Sequence, residues 1–318
     1  MTYTLATLSI GGRPTPVVKI SSSFYSLNDV APTLAKAASR RGLLSVFDDW
    51  QHNDPLLAGA AAEILRGATD IVPLSVHPAP EDYLAPLLYP SKVLCMGANY
   101  YDHMHNDAGM TSYQKDNVVP TMFVKPSATT MVGSGRSVRY PSQSGKFDWE
   151  IELCAIIGKR GRKVRAQDAR EYIAGFTVGV DLSARDWQLH PKHPFKFDLY
   201  GGKAFDDSCP IGPWIVPARY VDDKNLQLRL RVNGNVKQDA NTSDMIWSIE
   251  EQIEALSMHV TLEPGDVIMT GTPAGVGMKT GTYLKVGDKL EAEIDGIGTL
   301  QFEIMPDQEV PLILARSE

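Results

Sequence analysis

The stretch FDWEIELCAIIG, residues Phe147 to Gly158, is an apolar, strand-like run interrupted by three carboxylates. On a strand successive side chains alternate faces, so Phe147, Trp149, Ile151, Leu153, Ala155 and Ile157 share one side. Asp148, Glu150 and Glu152 share the other. Alternate residues lie about 6.5 to 7 Å apart along the chain, so Glu150 and Glu152 can converge on one hard cation without contorting the backbone. Left unpaired in a low-dielectric interior, the same carboxylates would repel and take up protons. An isolated Glu-x-Glu on a strand is ordinarily a solvated edge. The apolar continuation through Ile156 and Ile157 weakens that reading here.

Working outward, the chain has 318 residues, 43% hydrophobic and 22% charged, enough for one large domain and a small one. A net charge of −7 with no basic stripe argues against nucleic acid or an anionic membrane as a partner. The one basic cluster, KRGRKVR at Lys159 to Arg165, reads as a solvated turn. Cys95, Cys154 and Cys209 form no CxxC pair and fit a reduced compartment. The N-terminus lacks a signal-like apolar core and no run is long enough to span a bilayer, so the expected location is cytoplasmic.

Residues 1–90 carry two alternating segments around Gly11-Gly12, two alanine-rich helical stretches and a Pro-rich end, and read as a small α+β domain with a linker. From Val93 onward short strands dominate, and only ARDWQLH and SIEEQIEALSMHV read clearly as helices. The expected fold class is therefore α+β and β-rich, a sandwich or rolled barrel over residues 91–318. There is no GxSxG elbow, HExxH, phosphate loop or GxGxxG between strand and helix. GTPAGVG, Gly271 to Gly277, is followed by the strand-like TYLKVGDKL and so is not expected to open a helix. In GFTVGVDLSARDWQ a strand stops at Asp181, with Ser183 as the expected cap of a following helix. Strand ends are where sites are commonly built; the alternative is an ordinary turn aspartate.

The ordered set DWEIEL, GVDLSARDWQ, GGKAFDDSCPIGPWIV, VNGNVKQDANTSDMIW, LEPGDVIMTGTPAGVG and LKVGDKLEAEIDGIGTL resembles the fumarylacetoacetate hydrolase family from about Val93 to the end. The resemblance implies a mixed β-sandwich roll, homodimers, a divalent cation (Mg²⁺, with Mn²⁺ or Ca²⁺ possible) and chemistry on small 2-oxo acids. It implies Glu150, Glu152 and Asp181 as metal ligands and Lys203 as the site lysine. Gln188, Thr272 and Arg185 match substrate-contacting positions. Three carboxylates leave part of an octahedral shell open for the carboxylate and keto oxygens of a 2-oxo acid, and a cation such as Lys203 could stabilise an enolate.

Relatives carry a lid pattern like NYxxHxxE, which Asn99, Tyr100 and His103 match in GANYYDHMHNDAGM. The glutamate is replaced: Asn106 stands three residues after His103 and Asp107 four, with His105 between. Either Asp107 takes the role through a one-residue shift, or the dyad is lost. Ala98 stands where many relatives that bind small dicarboxylates have arginine, which disfavours a short diacid such as oxaloacetate. The leading expectation is a metal-dependent hydrolase cleaving a C–C bond in an acylpyruvate-like or 2,4-dioxo acid, in catabolism of aromatic or sugar-acid compounds. A lyase, decarboxylase, hydratase or tautomerase using the same metal site is the alternative.

Overall fold

The computed structural model describes residues 2–307. Its central strands, Ile151–Ile157 and Ile173–Val180, are buried at every position, which is why they read as continuous apolar runs and not as alternating ones. They pair antiparallel, with Val180 opposite Ile151. Around them the large sheet runs in the order Ser23–Ser26, Arg13–Ile20, Thr4–Ile10, Cys209–Pro217, Ile173–Val180, Ile151–Ile157, Val267–Met269, Val93–Gly97, Thr121–Lys125. A second sheet, in the order Asn235–Asn241, Gln227–Val232, Lys289–Ile294, Gly298–Met305, Ser137–Arg139, covers one face. Its strands alternate: Leu228, Leu230 and Val232 point into the shared core while Gln227, Arg229 and Arg231 do not. The core between the sheets holds Leu153, Phe176, Val178, Leu230, Leu300 and Ile304.

The first 90 residues cover the opposite face. Helices there, chiefly Trp50–Leu65, bury Phe47, Trp50 and Leu57 against Ile156, Ala174 and Ile215 of the large sheet. Thr4–Ile10 joins that sheet directly, pairing Leu5 with Ile215, so both hydrogen bonding and apolar core cross residue 90. The three cysteines are free and buried in this layer. No helix among the described residues is long and apolar enough to cross a membrane.

Three local expectations are corrected. The acidic run is not one strand: Phe147–Asp148 pairs with Ser183–Ala184, and Ile151–Ile157 begins after a break at Trp149 and Glu150. Ser183 is consumed by that pairing and caps nothing; the helix after it is a single turn, Arg185–Gln188, with no side-chain cap. GTPAGVG does open a helical turn, Gly277–Thr280, and the next strand starts only at Lys289. The buried carboxylate of Asp148 accepts from Gly277 N (2.6 Å) and Met278 N (3.0 Å), which stabilises that turn.

Because Leu5 is fully buried at the joint between the two layers, Leu5→Ala should cost about 2–5 kcal/mol. Urea unfolding followed by tryptophan fluorescence should show the loss in one main transition. A separate early step for residues 1–90, with the main midpoint unmoved, would contradict a shared core.

Candidate active site

Three elements bring the acids together. Glu150 lies at the strand break, Glu152 two residues into Ile151–Ile157, and Asp181 directly after Ile173–Val180. Asp181 N donates to Glu150 O (2.8 Å), which locks the two segments in register. Glu150 is 5% exposed, Glu152 1% and Asp181 1%, and their ligating oxygens lie within 4.8 Å of one another. The acidic face is thus an interior cluster, not a solvated edge.

Cations surround it unevenly. Lys203 Nζ is 2.6 Å from both Glu150 Oε2 and Asp181 Oδ2. Arg185 donates from Nε to Asp148 Oδ2 (2.9 Å), from Nη2 to Glu150 Oε1 (2.5 Å) and from Nη1 to Gln188 Oε1 (3.0 Å). Burial opposes charge on Glu150, but Lys203 and Arg185 overcome it and hold that carboxyl well below the usual range. Burial also opposes charge on Lys203, yet Asp181 and Glu150 raise its pKa. Glu152 goes the other way: burial, then Asp181 and Glu150, push it well above the ordinary carboxyl value, although Gly271 N donates to its Oε2 at 2.7 Å. Gly271 has φ +97°, and a Cβ there would meet Asn99 Cβ at 2.6 Å, so glycine is required for that contact.

Such a donor set suits a hard divalent cation. Glu152 has no ion-pair partner among the described residues, and Asp181 Oδ1 accepts no hydrogen bond. The nearest group to Oδ1, the Lys125 ammonium at 2.8 Å, is already committed to Ser208 Oγ (3.0 Å), Ser208 O (3.0 Å) and Lys203 O. Oxygen ligands without enough positive charge are what a divalent ion completes. Lys125, fully buried, was not read from the sequence; its signal is a lysine ending the apolar strand Thr121–Lys125.

Across the cavity, His103 and Asp107 fall within a short π-helical turn, His103–Asp107. His103 Nδ1 and Asp107 Oδ2 are 2.8 Å apart, while Asn106 is exposed. The same Asp107 oxygen accepts from Gly275 N (3.0 Å) and Val276 N (3.4 Å), so the glycine-rich loop seats the lid carboxylate. Gly275 has φ +104° and packs where a Cβ would meet the Lys237 carbonyl. Asn99 anchors the lid base, donating to Thr270 O (2.6 Å) and accepting from Trp247 N (2.7 Å). His105 is apart from this, its Nε2 without a partner.

A cavity of about 1030 Å³ opens between these groups, lined by His103, Asp107, Glu150, Asp181, Arg185, Gln188, Lys203 and Thr272. Glu152 is not among the residues that line it, although its carboxylate lies within 4.8 Å of those of Glu150 and Asp181, which do. Thr272 is held by Ile151 O and Gln238 Nε2, both at 2.8 Å. The structure therefore gathers every residue that the sequence suggested for the site.

The raised Glu152 carboxyl has a defined pH consequence. Its stabilising contribution is present below the ordinary value of 4.5 and is lost as pH rises through the raised folded value. Metal-free protein should accordingly lose thermal stability above about pH 5 relative to Glu152→Gln. Saturating Mn²⁺ should narrow that gap by stabilising the unmutated protein, and calorimetric titration should find Mn²⁺ binding weakened at least about tenfold in Glu152→Gln. Parallel pH profiles and equal Mn²⁺ affinity would contradict the assignment.

Residues 92–305 match the family described as fumarylacetoacetate (FAA) hydrolase, C-terminal. A mitochondrial oxaloacetate tautomerase of Rattus norvegicus is 41% identical over 225 residues, 69% of this chain and 67% of that protein. The fumarylacetoacetate hydrolase of Exiguobacterium antarcticum superposes with a TM-score of 0.76 at 29% identity, covering 96% of this chain and 100% of the other. Fumarylpyruvate hydrolase from Pseudomonas aeruginosa, in complex with Mn²⁺ and pyruvate, gives 0.61 at 32% identity over 73% of this chain and 94% of its own. The chain belongs to the fumarylacetoacetate hydrolase family.

Proposed function

We propose that the protein enolises a small 2-oxo acid, with keto–enol tautomerisation as its first reaction. The observation that carries this is one cavity with the His103–Asp107 pair on one side and the Lys203-bridged carboxylates on the other. Held by Glu150, Glu152 and Asp181, a divalent cation, Mg²⁺ or Mn²⁺, would supply Lewis acidity toward the substrate's keto oxygen. The remaining work belongs to the side chains. A carboxylate only accepts hydrogen bonds, so His103 carries its proton on Nδ1 toward Asp107 and presents an unprotonated Nε2. That nitrogen removes a proton from C3; the electron pair moves to the keto oxygen, and the Lys203 ammonium stabilises the enolate. The imidazolium, stabilised by Asp107, returns its proton to oxygen to give the enol. Arg185, fixed by Asp148 and Glu150, orients Gln188 at the wall.

Tautomerisation needs nothing beyond these groups, and the 41% identical rat relative carries that activity in its name. Hydrolysis of a 2,4-dioxo acid, which the sequence alone put first, is the second reading. It is favoured by the cavity volume of about 1030 Å³ and by likeness to the fumarylpyruvate hydrolase. Here His103 would take a proton from water, hydroxide would add at C4, and the C3–C4 bond would break to a carboxylic acid and the pyruvate enolate, then protonated at C3. Enol absorbance after adding oxaloacetate or an acylpyruvate measures the first reaction, and pyruvate release with a second acid measures the other. Neither signal with Mg²⁺ or Mn²⁺ present would sink the proposal.

Asp107→Asn should lower turnover about 10²-fold and shift the pH–rate profile, because an amide offers no charge to the imidazolium. Asn106→Ala should stay within about twofold, being exposed. Calorimetric Mn²⁺ affinity should be unchanged in both. Full activity in Asp107→Asn with none in His103→Ala would leave His103 without this partner.

A further inference from the structure

The far end of the cavity differs in kind from the carboxylate floor. Among the described residues, the side chains lining it that can be positively charged are His103, Arg185 and Lys203, and each is already paired. Arg185 uses Nε, Nη1 and Nη2 on Asp148, Gln188 and Glu150, with 6% of its side chain exposed. Lys203 is shared between two acids with 4% exposed. The acids lining the same cavity are Asp107, Asp116, Glu150 and Asp181, so the wall is anionic on balance. A divalent ion would offset that excess at the floor, where the 2-oxo acid's own carboxylate would be drawn.

Most of the remaining lining is apolar, with Met104, Met110, Val118, Leu189, Phe197 and Met278 outnumbering the uncharged polar Tyr113, Asn117 and Thr121, while Phe123 lies under the Lys203 ammonium at the floor. A second substrate carboxylate there would leave water for a surface with no free cation and with Asp116 at its rim, an uncompensated cost. An alkyl or aryl group would instead be favoured by roughly 25 cal/mol per Å² of apolar area covered. The volume, about 1030 Å³, is at the upper end of the usual ligand-pocket range and exceeds what a four-carbon diacid fills.

We infer that the substrate's distal substituent is uncharged and apolar, an alkyl or aryl group on a 2-oxo or 2,4-dioxo acid, so that this chain departs from its diacid-acting relatives in specificity. The inference rests on the 2-oxo acid reading and holds for tautomerisation and hydrolysis alike. Ala98 gives the means to test it. It lines the cavity with φ +57°, a left-handed conformation already accommodating a Cβ, so a longer side chain adds no new backbone strain.

The experiment is a matched series of acylpyruvates of equal length, ending in methyl or carboxylate on an alkyl chain and in hydrogen or carboxylate on a phenyl ring. Each is assayed for kcat/KM with Mn²⁺ and as a competitor of pyruvate binding, with oxaloacetate included. The uncharged members should lead their charged partners by at least about tenfold. Ala98→Arg should shrink or reverse that ratio by raising kcat/KM for the charged members. Equal or better use of the charged members by the unmutated protein, with pyruvate still binding, would overturn the inference alone. If neither pyruvate nor any acylpyruvate bound, the 2-oxo acid reading would fall and this inference with it.

Discussion

Burying Asp148, Glu150, Glu152 and Asp181 together carries a desolvation penalty on the order of several kcal/mol per ion, and Arg185, Lys203 and Lys125 are the cations set against it. Four negative charges against three positive ones leave Glu152 as the group whose charge is least supported, and burial first, then Asp181 and Glu150, raise its pKa. Much of the surrounding architecture follows. The strand breaks at Trp149 and Glu150 so that Asp148 can serve the Gly277–Thr280 turn while Glu150 faces Lys203. The short pairing of Phe147–Asp148 with Ser183–Ala184 holds Arg185 where it can reach both acids.

The glycine-rich loop links this cluster to the lid. Gly271 N serves Glu152, and Gly275 N and Val276 N serve Asp107, so one stretch of backbone orients a carboxylate of the acidic cluster and the one paired with His103. Both glycines sit at positive φ with other residues packed against the missing side chain. That is a physical reason for two of the glycines in GTPAGVG which does not involve a phosphate or a dinucleotide.

The acids of the floor were legible as carboxylates inside an apolar run, but strand alternation does not by itself bring them together: Glu150 lies in the break before Ile151–Ile157, and its backbone bond from Asp181 N sets it beside Glu152 and Asp181. The sequence made the β-rich class legible through the density of short strands after Val93. What it could not give were contacts between segments far apart in the chain. Lys125 meets Asp181 across 56 positions; a lysine closing the apolar run TMFVKP points to a buried cation but not to its partner. The choice between Asn106 and Asp107 likewise depended on the turn's conformation: in the π-helical turn Asp107 faces His103 and the loop N–H groups, and Asn106 faces out. Periodicity also misjudged TYLKVGDKL, where Lys285 N donates to Asp288 Oδ2 and Asp288 N to Lys285 O, a turn that delays the strand to Lys289.

Family membership does not fix the reaction, which on the reading proposed above depends on what the cavity admits. The central claim beneath either reaction is that the three carboxylates hold one divalent cation that a 2-oxo acid then reaches. Anomalous diffraction from crystals grown with Mn²⁺ and pyruvate tests it most directly. The account predicts a single strong peak among Glu150, Glu152 and Asp181, with pyruvate beside it and Lys203 close by. No peak there, or a peak held by other residues with pyruvate elsewhere, would contradict it.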